Sequence, residues 1–158
     1  MAKDGFTGAP AITMEAPEQA AIWADLGEHW LILDQYFKPW PVCRWAQPAI
    51  EAASRLMLEH GLAAPDVESV EVETFHEAVR LDAQLPTTTE AAQYAIGFPL
   101  AAYLVRGRLG PDEIGSDGLE DPAIGGMLRR ITLVESPEFS RHFPAKRLAR
   151  LRVRLKSG

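Results

Sequence analysis

Near its C-terminal end the sequence alternates: Leu151, Val153 and Leu155 are apolar, and Arg150, Arg152 and Arg154 stand between them. A period of two is the period of a β-strand, so Leu148–Leu155 is expected to show one apolar and one cationic face. Val67–Phe75 alternates too, with Val67, Val70, Val72 and Thr74 set against Glu68, Glu71, Glu73 and Phe75 and a slip near Ser69. Set side by side, these strands would bring Glu71 and Glu73 opposite the arginines on the solvent side. The cluster of basic residues after Arg129 is therefore read first as sheet chemistry, ahead of an anion-binding patch. The apolar faces of such strands must be covered by another layer.

Helices supply that layer. Gln47 stands at the cap and Pro48 at the first turn of the clearest one, whose apolar stripe is Ile50, Ala53 and Met57 with Ala49 and Leu56, and which stops at Gly61. Thr87-Thr88-Thr89-Glu90 resembles a capping box and opens a long helix to about Arg106, kinked at Pro99. Pro111 and Pro122 start shorter helices, the second running to about Arg129. A short helix is expected over Glu18–Leu26, strands over Trp30–Phe37 and Ile131–Glu135, and a polar loop over Ser136–Lys146; residues 1–16 look irregular and 76–86 carry no firm element. The order predicts an α+β fold: a two-layer sandwich of an antiparallel or mixed sheet with helices on one face. A chain of 158 residues suggests one domain.

Composition narrows the function. A net charge of −6 argues against nucleic acid, which needs a basic footprint. No apolar run reaches the length of a membrane span, and no secretory signal opens the chain, so a cytoplasmic protein is expected. One cysteine excludes an internal disulfide and a multi-cysteine zinc site. His29, His60, His76 and His142 lack metal-ligand spacing, and no metal or cofactor is expected. The sequence contains no Gly-x-Ser-x-Gly elbow, and Gly125-Gly126 lacks the context of a phosphate loop.

One stretch stands apart, Phe37-Lys-Pro-Trp-Pro-Val-Cys-Arg-Trp-Ala-Gln-Pro. Two prolines in three residues are expected to hold the backbone extended, presenting a lysine rather than packing it. Lys38 is the leading candidate for chemistry, as a point charge for a carboxylate or as an acid or base. Cys43 is the lone thiol, with the reading of a small buried hydrophobe set against that of a nucleophile.

Three stretches together resemble the MmgE/PrpD family: Lys38-Pro-Trp-Pro-Val-Cys-Arg-Trp-Ala-Gln-Pro-Ala-Ile-Glu-Ala, Thr89 through Gly107, and Asp121-Pro-x-Ile running into Arg130-Ile131 and the arginine-rich last strand. Gly5-Phe-Thr-Gly-Ala-Pro resembles the family's passage into this region. The family includes 2-methylcitrate dehydratase, cis-aconitate decarboxylase and iminodisuccinate epimerase. The resemblance implies proton removal or delivery next to a carboxylate of a small polycarboxylate, with loss of water or carbon dioxide or return of the proton. It makes Lys38 catalytic and places Cys43, Arg44, Gln47 and Phe98 near substrate. Gln47 stands where the family segment often has histidine, and Phe98 where some members have tyrosine. The resemblance covers the smaller α+β domain, without the large helical domain that carries further catalytic residues. The chain is accordingly expected to be inactive alone and to form a homo-oligomer or pair with a helical-domain partner. The alternative is a free-standing, non-catalytic derivative that binds a partner protein or a carboxylate.

Overall fold

A computed structural model describes residues 21, 23–81 and 85–158 of the chain. It divides into two units, Met1–Phe37 and Lys38–Gly158. The expected irregular stretch 1–16, the Gly5–Pro10 segment and residues 18–20 and 22 of the expected helix Glu18–Leu26 lie outside the described residues; of the rest of that helix Ala21 is helical, while residues 23–28 are turn.

In the first unit, the expected strand Trp30–Phe37 does not form. Leu31–Asp34 is instead a turn of 3₁₀ helix. Leu33 N–H donates to Trp30 O at 2.9 Å and Gln35 N–H to Ile32 O at 3.4 Å, so the backbone is satisfied locally rather than by a neighbouring strand. Its apolar run has no period of two, and apolar content alone does not distinguish a strand from a helical turn. His29 is bracketed by acids, Nδ1 at 3.5 Å from Asp25 and Nε2 at 3.2 Å from Asp34.

The second unit is the α+β sandwich. β1 (Val67–Thr74), β2 (Ile131–Glu135) and β3 (Ala149–Leu155) form a mixed three-stranded sheet in the order β2-β1-β3. β1 pairs antiparallel with β3, setting Glu71 opposite Arg152 and Glu73 opposite Arg150. The slip at Ser69 is a register shift between Val67 and Ser69. β1 pairs parallel with β2, Val70 opposite Ile131 and Val72 opposite Leu133. A parallel pair needs a long crossover, and here the helices between the two strands supply it.

The helices are α1 (Gln47–His60), α2 (His76–Val79), α3 (Thr89–Tyr94), α4 (Gly97–Arg106), α5 (Pro111–Ile114), α6 (Ser116–Leu119), α7 (Pro122–Leu128) and α8 (Pro137–His142). Helix α1 starts one residue earlier than expected, with Ala46 rather than Gln47 at the cap and Gln47 as its first residue; Pro48 lies in the first turn and Gly61 closes the helix at φ 62°. The long helix expected from Thr87 to Arg106 is two helices. Thr88 caps α3, its Oγ1 accepting from Ala91 N–H at 3.1 Å, and the chain breaks at Ala95–Ile96. Pro99 is the third residue of α4, where its missing N–H would have had no helical partner, so it starts a helix rather than kinking one. The expected loop Ser136–Lys146 contains α8, with Ser136 Oγ accepting from Phe139 N–H at 3.4 Å and Pro137 first in the helix.

The core joins the inner face of β1 (Val67, Val70, Val72) to α1 (Ala49, Ile50, Ala53) and to α4, which is buried from Gly97 through Ala102. A helix apolar all round belongs in a core. Tyr103 O–H ties α4 to α1 by donating to Ser54 Oγ at 2.8 Å.

Candidate active-site segment

The proline-rich segment before α1 packs more firmly than an extended linker would. Val42 N–H donates to Trp40 O at 2.9 Å, closing a three-residue turn across Pro41. The Val42 side chain is buried, and Cys43 N–H donates to Gln93 O at 2.8 Å, fastening the segment to α3. Trp40 meets Tyr103 edge to face at 5.8 Å between ring centroids. Trp45 does the same with Phe75 and Phe143, both at 5.6 Å. Such pairs contribute about 0.5–1.5 kcal/mol beyond burial. The expectation of an extended, poorly packing stretch is thus corrected: the prolines turn the chain, and the tryptophans anchor it.

That anchoring holds Lys38. Its Nζ donates to Val42 O at 3.1 Å, and Gln47 Nε2 reaches the same carbonyl at 3.2 Å and Trp40 O at 3.0 Å. The first residue of α1 therefore fixes the carbonyl on which the lysine rests, while Lys38 itself stays exposed. Gln47 Oε1 is buried without a hydrogen-bond partner among the described residues. Turning the amide over would aim that oxygen at two carbonyls, so the orientation is set by its donors. Cys43 is half-buried, and Arg44 lies on the exposed side of the turn. Phe98 is 1% exposed, inside the core. The structure brings Lys38 and Gln47 together; it places Phe98 beneath the surface.

A second group of polar side chains is less legible in the sequence. His76 Nδ1 lies 2.9 Å from Glu135 Oε2, Ser140 Oγ donates to Glu135 Oε1 at 3.0 Å, and His76 N–H donates to Ser140 Oγ at 3.0 Å. The His76 hydrogen bond, with Ser140 beside it, holds the Glu135 carboxyl below its ordinary range. His76 at a strand end is visible from sequence, but Ser140 is placed only once α8 is known. Among the described residues no three of His, Cys, Asp and Glu gather to hold a metal ion.

The profile of the MmgE/PrpD C-terminal domain matches residues 40–158, running from Trp40 through the last strand. The chain belongs to the MmgE/PrpD family. It is also similar to 2-methylcitrate dehydratase of Cupriavidus necator, 32% identical over 109 residues, which covers 65% of this chain and 22% of that protein. The chain thus spans about a fifth of that relative's length. Lys38 stands just before the matched span; Cys43, Arg44, Gln47 and Phe98 lie within it. No helix among the described residues is long and apolar enough to cross a membrane.

Proposed function

We propose that this chain is the smaller domain of an MmgE/PrpD-type lyase or isomerase. Its substrates are small polycarboxylates that undergo dehydration, decarboxylation or epimerisation next to a carboxylate. The observation that carries this reading is the family match over residues 40–158, supported by the likeness to a named dehydratase. Lys38 supplies a cation for a substrate carboxylate, or a proton to the group that leaves. To do so its ammonium exchanges the Val42 carbonyl for the substrate oxygen, a neutral acceptor for a charged and stronger one. Gln47 seats Lys38 through their shared acceptor, and Cys43, Arg44 and Phe98 are its proposed companions at the substrate. The domain has no turnover alone, because the other half of the site belongs to a helical domain; it acts in the cytoplasm.

Partner surface is also on offer. Trp30, Leu31, Ile32, Leu33, Tyr36 and Phe37 are 57%, 69%, 73%, 78%, 58% and 99% exposed. Apolar side chains exposed in such a run are covered by a partner, here a second copy of the chain or the helical domain.

A specific observation favours the second reading, a domain that binds a carboxylate or a partner without turnover. Gln47 is a neutral amide committed to two backbone carbonyls, so it moves no proton. Turnover assays decide between the two. Loss of methylcitrate or cis-aconitate is followed with the chain alone and with the helical portion of a family member added. The lyase reading expects activity only in the mixture, abolished by Lys38→Ala. Inactivity of the mixture, with both parts folded and associated, would establish the binding-only reading.

A further inference from the structure

At the end of the sheet where β1 and β2 begin and β3 finishes, a cleft of about 480 Å³ opens to solvent. Pro65, Val105, Pro122 and Met127 supply apolar lining, and Arg130 and Lys156 are its charged members; among the described residues no acidic side chain lines it. It is remote from Lys38, whose segment reaches the other end of β1 where Trp45 meets Phe75. The eight residues of β1 span about 26 Å at ~3.3 Å each.

The two cations are placed differently. Arg130 is held by the sheet, its Nη1 donating to Val67 O at 2.9 Å, which leaves further guanidinium N–H groups to donate. Lys156 is fixed through its backbone, whose N–H donates to Asp66 O at 2.9 Å; its ammonium makes no hydrogen bond or ion pair among the described residues. The acids that follow or precede its lining prolines in sequence are engaged elsewhere: Asp66 accepts from Ala63 N–H, and Asp121 caps α7 and pairs with Arg106. In a chain of net charge −6, two cations lining one cleft over an apolar floor, with no acid among its described lining residues, favour an anion with an apolar body.

We infer that this cleft binds an apolar monocarboxylate, the carboxylate held by Arg130 and Lys156 and the tail lying on Val105, Pro122 and Met127. Gly126 provides a way to fill the cleft without touching its charge. A Cβ built there meets only the tip of Arg129, at 3.9 Å, and a side chain in place of glycine favours the helix.

The test is amide chemical-shift titration of the full chain with octanoate and, as a neutral tail of equal length, 1-octanol. Octanoate is expected to saturate shifts in α7, Arg130 and Lys156, and to bind at least about tenfold tighter than octanol. Arg130→Gln with Lys156→Gln should remove that advantage and leave octanol binding unchanged. Gly126→Leu should abolish both while the thermal transition is retained. Lys38→Ala should bind octanoate like the parent, because this inference does not depend on the proposed lyase reading. Absence of saturable octanoate binding, equal binding of octanol, or indifference to the folded Gly126→Leu variant would each overturn it.

Discussion

Lys38 and Gln47 share one acceptor: the ammonium of the first and the side-chain amide of the second both donate to the carbonyl of Val42, at 3.1 and 3.2 Å. The lysine that the sequence singles out is therefore seated by a residue nine positions on, at the start of α1. Gln47 also holds Trp40 O, so one amide braces both carbonyls of the turn across Pro41.

Removing that brace leaves part-buried carbonyls short of donors. Gln47→Ala is expected to destabilise the chain by about 1–2 kcal/mol in urea unfolding. Gln47→Glu should cost more at neutral pH, where a carboxylate would face two carbonyl oxygens. That extra loss should shrink as the pH falls and the carboxyl regains a proton to donate. A Gln47→Glu chain as stable as the parent at neutral pH would show that the amide braces nothing.

On the open face of the sheet, Glu73 takes Arg150 at 2.7 Å and also pairs with Arg152, which reaches Glu71 at 2.6 Å. Glu73 is the most sheltered of these groups, its side chain 16% exposed. Glu73→Gln should cost about 1 kcal/mol at low ionic strength and less in 1 M salt, where screening acts over ~3 Å. An effect unchanged by salt would mean that packing rather than charge holds these residues.

Two acids should govern stability in acid. Burial pushes the Glu113 carboxyl up, but the Gly110 N–H and the Arg108 guanidinium outweigh it and hold the group below its ordinary value. The Ala123 N–H, aided by Arg106 and opposed by burial, does the same for Asp121. Groups lowered on folding stabilise above their unfolded pKa, near ~4, and that contribution is lost as pH falls through the folded value. Urea midpoints should thus hold steady through weakly acidic pH and drop below about pH 4. Glu113→Gln should flatten part of that drop.

Gly118 has no room for a side chain. A Cβ there would lie 1.8 Å from the carbonyl oxygen of Glu113, a backbone atom that cannot swing aside. Gly118→Ala should cost about 3 kcal/mol or more and displace α5 from α6. A loss below about 0.5 kcal/mol would show that the α5–α6 turn relaxes freely.

The exposed run from Trp30 to Phe37 predicts association. Sedimentation velocity of the isolated chain should show a concentration-dependent increase in mass that Leu31→Ser with Leu33→Ser abolishes. A monomer at all concentrations would remove the second copy as the occupant of that surface.

The strands were legible because alternation is a strong signal: Val70, Val72, Leu151 and Val153 mark one face, and Glu71, Glu73, Arg150 and Arg152 announce their pairing on the other. Helix α1 was legible from Pro48 and Gly61 at its ends. Trp30–Phe37 misled because an unbroken apolar run has no period to read. The short α8 escaped because six residues give less than two turns of pattern, leaving only Ser136-Pro137 as a sign. The site divides likewise. Lys38 stood out by its neighbours, but its seat is a backbone carbonyl, and a side chain's bond to backbone leaves no residue-type signature on the partner.

The carboxylate-binding role of Lys38 is tested by calorimetric titration of the full chain with citrate, cis-aconitate and methylcitrate, comparing the parent with Lys38→Ala. Saturable binding of at least one of these anions is expected, weakened about tenfold or more by the substitution with the unfolding midpoint retained. No binding by the parent, or binding indifferent to Lys38→Ala, would contradict it.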